Sequence, residues 1–150
     1  MTTLEFGEAI DTAVATAMAA DERIVVFGED VPILRRRLLP RFGPTRVRAT
    51  PISESAFLGA AVGAAMAGLR PLVEIMLVDF LGVAMSALLN EAAMIKTLSG
   101  GNVDVPMVVR SECGGGYGDA GQHEQSLWGL LAGIPGLTVV VPSTPADGAG

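Results

Sequence analysis

The chain has 150 residues, half of them hydrophobic and 17% charged, with a formal net charge of −6. That length suits one domain, residues 1–150, with a real hydrophobic core. The acidic balance argues against a nucleic-acid platform, which would carry a basic stripe, and one cysteine excludes an internal disulfide and fits a reducing, cytoplasmic compartment. Nothing reads as a membrane segment. Acids at Glu5, Glu8 and Asp11 break a signal-peptide pattern, residues 55–69 are uncharged but short and small, and Pro135, Gly136 and Pro142 interrupt the uncharged stretch 125–146.

Taken in chain order, Phe6, Ile10, Ala13, Val14, Ala17 and Met18 have helical spacing over 4–19, with Thr2 or Thr3 as a cap. Ile24-Val25-Val26-Phe27 is a short apolar run that stops at Gly28-Glu29-Asp30 and reads as a strand buried on both faces. Residues 31–46 look irregular, and Arg35-Arg36-Arg37 within them reads as a solvated or partner-facing turn. A helix is expected from Thr50-Pro51-Ile52-Ser53-Glu54 to about Gly68, then a strand at Leu72–Met76 and a long helix over 81–98. A third strand at 105–109, a glycine-rich loop at 114–121 and a helix of about ten residues from Gln122 follow. A fourth strand at Leu137–Val141 and a last helix opening at Pro142-Ser143-Thr144-Pro145 complete the reading. Strands alternating with helices predict an α/β three-layer sandwich with a mostly parallel sheet. In such sheets the site lies beyond the carboxyl ends of the strands, where Glu29, the 77–80 segment and the 111–123 loop would gather.

Glu54 is the most informative residue. It opens a helix in which Gly59-Ala60 and Gly63-Ala64 leave one face nearly bare, so that a second helix can approach closely. The acid would then lie in a dry cleft at a subunit contact, a setting that suits proton chemistry. The plainer reading makes it an acid favoured by the dipole of a first helical turn. The 114–121 loop lacks the Lys-Ser or Lys-Thr of a phosphate-binding loop, so its glycines serve a close approach to ligand instead. No metal-ligating cluster is read. Cys113 reads as a packing residue, and Met66, Met76, Met85 and Met94 as core.

Several motifs, in order over nearly the whole chain, resemble one family. They are Val26-Phe27-Gly28-Glu29-Asp30-Val31, Thr50-Pro51-Ile52-Ser53-Glu54, Gly59 through Pro71, Glu74-Ile75-Met76 with Asp79-Phe80, Leu98-Ser99-Gly100-Gly101, Gly121-Gln122-His123, Pro135-Gly136-Leu137 and Pro142-Ser143-Thr144-Pro145. The family is the β subunit of the thiamine diphosphate-dependent first component of 2-oxo acid dehydrogenase complexes, of the pyruvate, branched-chain and acetoin type. The resemblance implies a transketolase-type pyrimidine-binding domain. It also implies that Glu54 hydrogen-bonds a ring nitrogen of the cofactor's aminopyrimidine and shares a proton with it. Phe80 would pack on that ring, Glu29 would join an acidic network near the cofactor, and His123 would act on the substrate or lipoyl group. Gly59 and Gly63 would lie at a subunit interface. An α subunit would carry Mg²⁺ and the diphosphate contacts, with a second β subunit and a lipoyl-bearing acyltransferase as further partners.

The chain departs from the family pattern in places. Residues 31–42 are shorter than usual and carry the three arginines. Ser86-Ala87 replaces a common Asp-Gln pair, Met94 a Lys, Glu112-Cys113 a Pro-Asn, and Glu124 a Ser. The family's C-terminal domain is absent from these 150 residues. The alternative reading is therefore a truncated or diverged domain that keeps the fold and binds a partner subunit without turnover.

Overall fold

The computed structural model describes residues 5–116 and 118–149. Its centre is a four-stranded sheet of β1 (Ile24–Glu29), β2 (Val47–Thr50), β3 (Arg70–Leu77) and β4 (Val108–Glu112), in the spatial order β2-β1-β3-β4 and parallel throughout. Around it lie the helices α1 (Phe6–Ala20), α2 (Val31–Leu34), α3 (Leu39–Phe42), α4 (Glu54–Met66), α5 (Ile95–Leu98), α6 (Trp128–Ala132) and α7 (Pro145–Ala149).

Alternation along β3 divides the molecule into three layers. Val73 and Ile75 face α4, meeting Phe57, Leu58 and Ala61, with Val78, Leu81, Ala84 and Leu88 closing that core. Leu72 faces the other way, into a second core of Met18, Val26, Val31, Leu38 and Val47. The expected layered, parallel α/β architecture is therefore what forms. No helix among the described residues is long and apolar enough to cross a membrane.

Glu74 also faces the α1 side, yet it is 4% exposed. Arg35 meets it with two hydrogen bonds, Nε to Oε1 at 3.0 Å and Nη2 to Oε2 at 3.1 Å, and Arg110 Nη1 reaches Oε1 at 3.3 Å. Asp11 Oδ1 stands 3.7 Å from both guanidiniums, and Glu112 lies 3.8 Å from Arg35 at the exposed rim. Burial pulls the Arg35 pKa down, but the Glu74 hydrogen bonds and then the surrounding acids outweigh it, and the net shift is upward. Arg110 has the weaker hold on Glu74, so burial prevails and its pKa falls. The arginine run is expected to be a solvated or partner-facing turn; its first member, Arg35, is instead a buried tie between α1, β3 and β4.

Other boundaries moved. The Thr2 or Thr3 cap lies outside the described residues; α1 begins after Glu5 with no side-chain cap. The 31–46 stretch holds two single-turn helices, and β2 follows it as an edge strand that sequence reading passed over. The long helix expected over 81–98 is broken into a 3₁₀ turn at Val78–Gly82, a π-helical turn at Ala87–Ala92 marked by Ala93 N–H donating to Leu88 O, and α5. The third strand sits at 108–112 rather than 105–109, and the helix expected from Gln122 is confined to α6. Leu137–Val141 joins no ladder: Val140 is 71% and Val141 50% exposed. The turn before it is pinned by Gly136, at φ +92°, where a Cβ would overlap the Ala93 carbonyl.

Candidate functional site

Parallel strands bring their carboxyl ends to one edge, and the candidate residues collect there. β1 ends at Glu29 and β3 runs into the 3₁₀ turn carrying Asp79 and Phe80. On the same edge α4 begins at Glu54, and β4 ends at Glu112 before the glycine-rich loop. Gly28 sets the spacing of the first two. It pairs with Glu74 across β1 and β3 at φ +155°, and a Cβ there would overlap the Glu74 carbonyl. Only glycine lets Glu29 follow at this depth.

Glu54 occupies the first turn of α4, whose N–H groups point toward negative charge. It is 8% exposed, and among the described residues no hydrogen-bond donor reaches its carboxylate. The Glu29 carboxyl is half-buried. Its pKa is raised first by burial, then by the charge of Glu54 and then by that of Asp30, which sits in the left-handed region at φ 51°. Glu29 and Glu54 thus lie near enough on this edge for the charge of Glu54 to add to burial in favouring the protonated form of Glu29.

The second pair is aromatic. The Phe80 ring is half-buried on the rim of the α4-side core, and His123 meets it edge-on, centroids 5.2 Å apart and planes at 89°. Ser55 joins the two pairs: its Oγ donates to the Val83 carbonyl at 2.6 Å, fixing the start of α4 to the end of the turn that carries Phe80. Gly59 and Gly63 lie on the outer face of α4 with Ala56 and Ala60. A Cβ at either glycine would meet no atom within 4 Å, so the bare strip read from sequence is open. Phe57, Leu58, Ala61 and Val62 make up the buried face.

Two readings are corrected here. Cys113 is exposed rather than packed, and Met66 is 48% exposed at the end of α4 rather than in the core. Sequence reasoning also missed how the loop is held. Glu124, noticed only as a departure, accepts the backbone N–H groups of Gly116 at 3.3 Å, Gly118 at 2.6 Å and Asp119 at 3.0 Å. These donors, Gly118 first, hold its pKa below the usual carboxylate range. Gln125 Nε2 donates to Asp79 Oδ1 at 2.7 Å, tying the loop's exit to the Phe80 turn. A usable signal was present: an acid placed just after a loop of five glycines, whose backbone donors are sterically accessible.

The chain is thus an all-parallel α/β domain whose candidate acids and aromatic pair gather at the carboxyl edge of the sheet, the edge where open sheets of this class place their sites. The sequence profile of the "Transketolase, pyrimidine binding domain" matches residues 2–150, and the chain belongs to that family. It is 39% identical to an acetoin:2,6-dichlorophenolindophenol oxidoreductase subunit beta of Bacillus subtilis, over 98% of this chain and 48% of that protein. It is 44% identical to a pyruvate dehydrogenase E1 component subunit beta of Acholeplasma laidlawii, over 95% and 46% respectively. A 2-oxoisovalerate dehydrogenase subunit beta of B. subtilis is 39% identical over 100% of this chain and 48% of the relative. The chain thus spans about half the length of the curated relatives it matches. A solved structure titled as a split-gene transketolase, an inactive beta4 tetramer, superposes with a TM-score of 0.74 at 19% identity, over 99% of this chain and 46% of that one, a likeness of fold.

Proposed function

We propose that this chain supplies the aminopyrimidine half of a thiamine diphosphate site in the β subunit of a 2-oxo acid dehydrogenase. The observation that carries the reading is Glu54: a residue 8% exposed, at a helix start, with no described donor to its carboxylate and with a second acid, Glu29, close enough to feel its charge. Such a group fits a ligand that brings its own hydrogen-bonding nitrogen, as an aminopyrimidine does, and would be costly to keep buried without one.

Glu54 would hold the ring and exchange a proton with its nitrogen. Glu29 would keep the local charge such that the proton stays within the cleft, and Phe80 would give the ring an apolar face. Bound thiamine diphosphate supplies a centre that stabilises carbanions and so permits decarboxylation of a 2-oxo acid. His123, at the rim, would donate a proton to substrate or lipoyl group. Mg²⁺ and the diphosphate would be held by an α subunit, and the open Gly59–Gly63 strip would receive a second β subunit. A lipoyl-bearing acyltransferase would take the acyl group, and the compartment would be cytoplasmic.

The test is Glu54→Gln in a complex reconstituted with a cognate α chain. Gln keeps the volume but cannot cycle a proton. Exchange of the cofactor's thiazolium C2 proton should slow by roughly 10²–10⁴ with a smaller change in cofactor affinity. Exchange at the parent rate would reduce Glu54 to a helix-start acid and remove the basis of this reading.

A further inference from the structure

The described residues of the glycine-rich loop 114–121 are mostly exposed, so polar contacts are what fix their shape. These contacts come from one short segment, 123–125. His123 N–H donates to Ala120 O at 2.9 Å, Gly114 N–H donates to Gln125 O at 3.3 Å, and Gln125 is anchored to Asp79. In the middle stands Glu124. Its Oε1 accepts from Gly118 and Asp119 and its Oε2 from Gly116, so one carboxylate gathers the loop's amides around itself. Gly115 makes room for this: a Cβ there would lie 2.6 Å from Glu124 Oε2. His123 is the next residue back, and its edge-on contact with Phe80 is the loop's approach to the candidate site.

We propose that Glu124 is a positioning residue, whose carboxylate winds the 114–121 loop so that His123 is presented edge-on to Phe80. What His123 then does for a substrate rests on the function proposed above; its placement does not. The carboxylate acts through the backbone of the loop and touches no reacting atom. The described residues alone place three donors on its two oxygens, which an amide with one carbonyl oxygen accepts only in part.

The chain contains one histidine, so its imidazole protons give a single, assignable set of NMR signals. In the parent, the Phe80 ring current displaces them from the positions of a free imidazole, and Phe80→Leu identifies that displacement. Glu124→Ala should return the His123 signals most of the way to the free positions, while the thermal unfolding midpoint, set by the two cores, stays near that of the parent. Glu124→Gln should retain part of the displacement. Gly115→Ala, which leaves the charge in place but crowds Oε2 out of the loop, should also move the signals, and the Gly115→Ala, Glu124→Ala pair should move them no further than Glu124→Ala alone. His123 signals unmoved in Glu124→Ala and in Gly115→Ala would overturn the proposal, as would additive shifts in the pair. If Glu124→Ala fails to fold, the Gln and Gly115→Ala variants decide on the same criterion. None of these measurements requires cofactor or partner. Failure here is therefore distinguishable from failure of the dehydrogenase reading, which the C2-proton exchange of Glu54→Gln addresses separately.

Discussion

Replacing Glu74 by Gln tests the central tie of the fold. The Glu74 side chain is 5% exposed and neutralises two guanidiniums, those of Arg35 at 9% and Arg110 at 17% exposure. After Glu74→Gln, the partly buried anion left beside the two arginines among the described residues is Asp11, 3.7 Å from both; Glu112, 65% exposed, is too well solvated to replace Glu74. The new amide also presents a donor to one of the arginine donors. Removing one partner from a buried ion group costs about 3–5 kcal/mol. With about 2.1 cal/mol/K of unfolding entropy per residue over the chain's length, the melting temperature should fall by about 10–16 °C. Differential scanning calorimetry on the purified chain reads this directly. Arg35→Met should cost less, because Arg110 keeps its contact with Oε1, and the two changes combined should be clearly non-additive. A fall of less than about 3 °C in Glu74→Gln would put the cost near 1 kcal/mol, the scale of a solvated surface pair, and would refute the account of a buried network.

Three further outcomes are expected. Glu29 has a raised folded-state pKa, so its favourable contribution is full below the unfolded value of about 4.3 and is lost as pH rises through the folded value. Glu29→Gln should therefore be more stable than the parent at pH 7, with the advantage shrinking toward pH 4; equal urea midpoints at pH 7 would contradict the shared cleft with Glu54. Gly63→Leu fills the open strip of α4 and should weaken self-association roughly tenfold or more, equivalent to about 1–3 kcal/mol of overpacking, while far-UV circular dichroism stays unchanged; parent-like sedimentation would place the contact elsewhere. The isolated chain, supplied with thiamine diphosphate, Mg²⁺ and pyruvate, should show no decarboxylation, and measurable CO₂ release would contradict the division of the site between subunits.

The parts legible in the sequence were those where a single local signal was strong. β1 and β3 are dense apolar runs, and α4 announces itself through its glycine spacing and its opening acid. Glu29, Glu54, Phe80 and His123 were placed by motif, and the fold brings them to one edge in two pairs. β2 was not legible because only Val47 of its four residues is buried; an edge strand leaves a faint pattern. Leu137–Val141 gave the opposite error. Its run of β-branched residues suits a strand, but the ladder is decided by what lies beside it. The breaks in the 81–98 helix follow tertiary fit around Phe80 and Gly136 rather than composition. Arg35 and Glu124 escaped because their partners are remote in sequence or are backbone amides, and neither kind of partner leaves a periodic trace.

The order β2-β1-β3-β4 also governs when the sheet can commit during synthesis. Val26 pairs with Val47 on one side and with Leu72 on the other, more than twice as far along the chain. Loop closure itself changes little, since doubling the length adds only about 0.6 kcal/mol. What differs is the reward: β2 buries Val47 alone, whereas β3 brings Val73, Ile75 and Leu77. A nascent chain that has emerged only as far as β2 already carries Met18, Val26, Val31, Leu38 and Val47 of the α1-side core, but of the α4-side core it lacks Phe57, Leu58, Val73 and Ile75. One face of the sheet is therefore expected to form before the other, and until β3 clears the ribosome the β1 edge that will receive it is open to wrong partners.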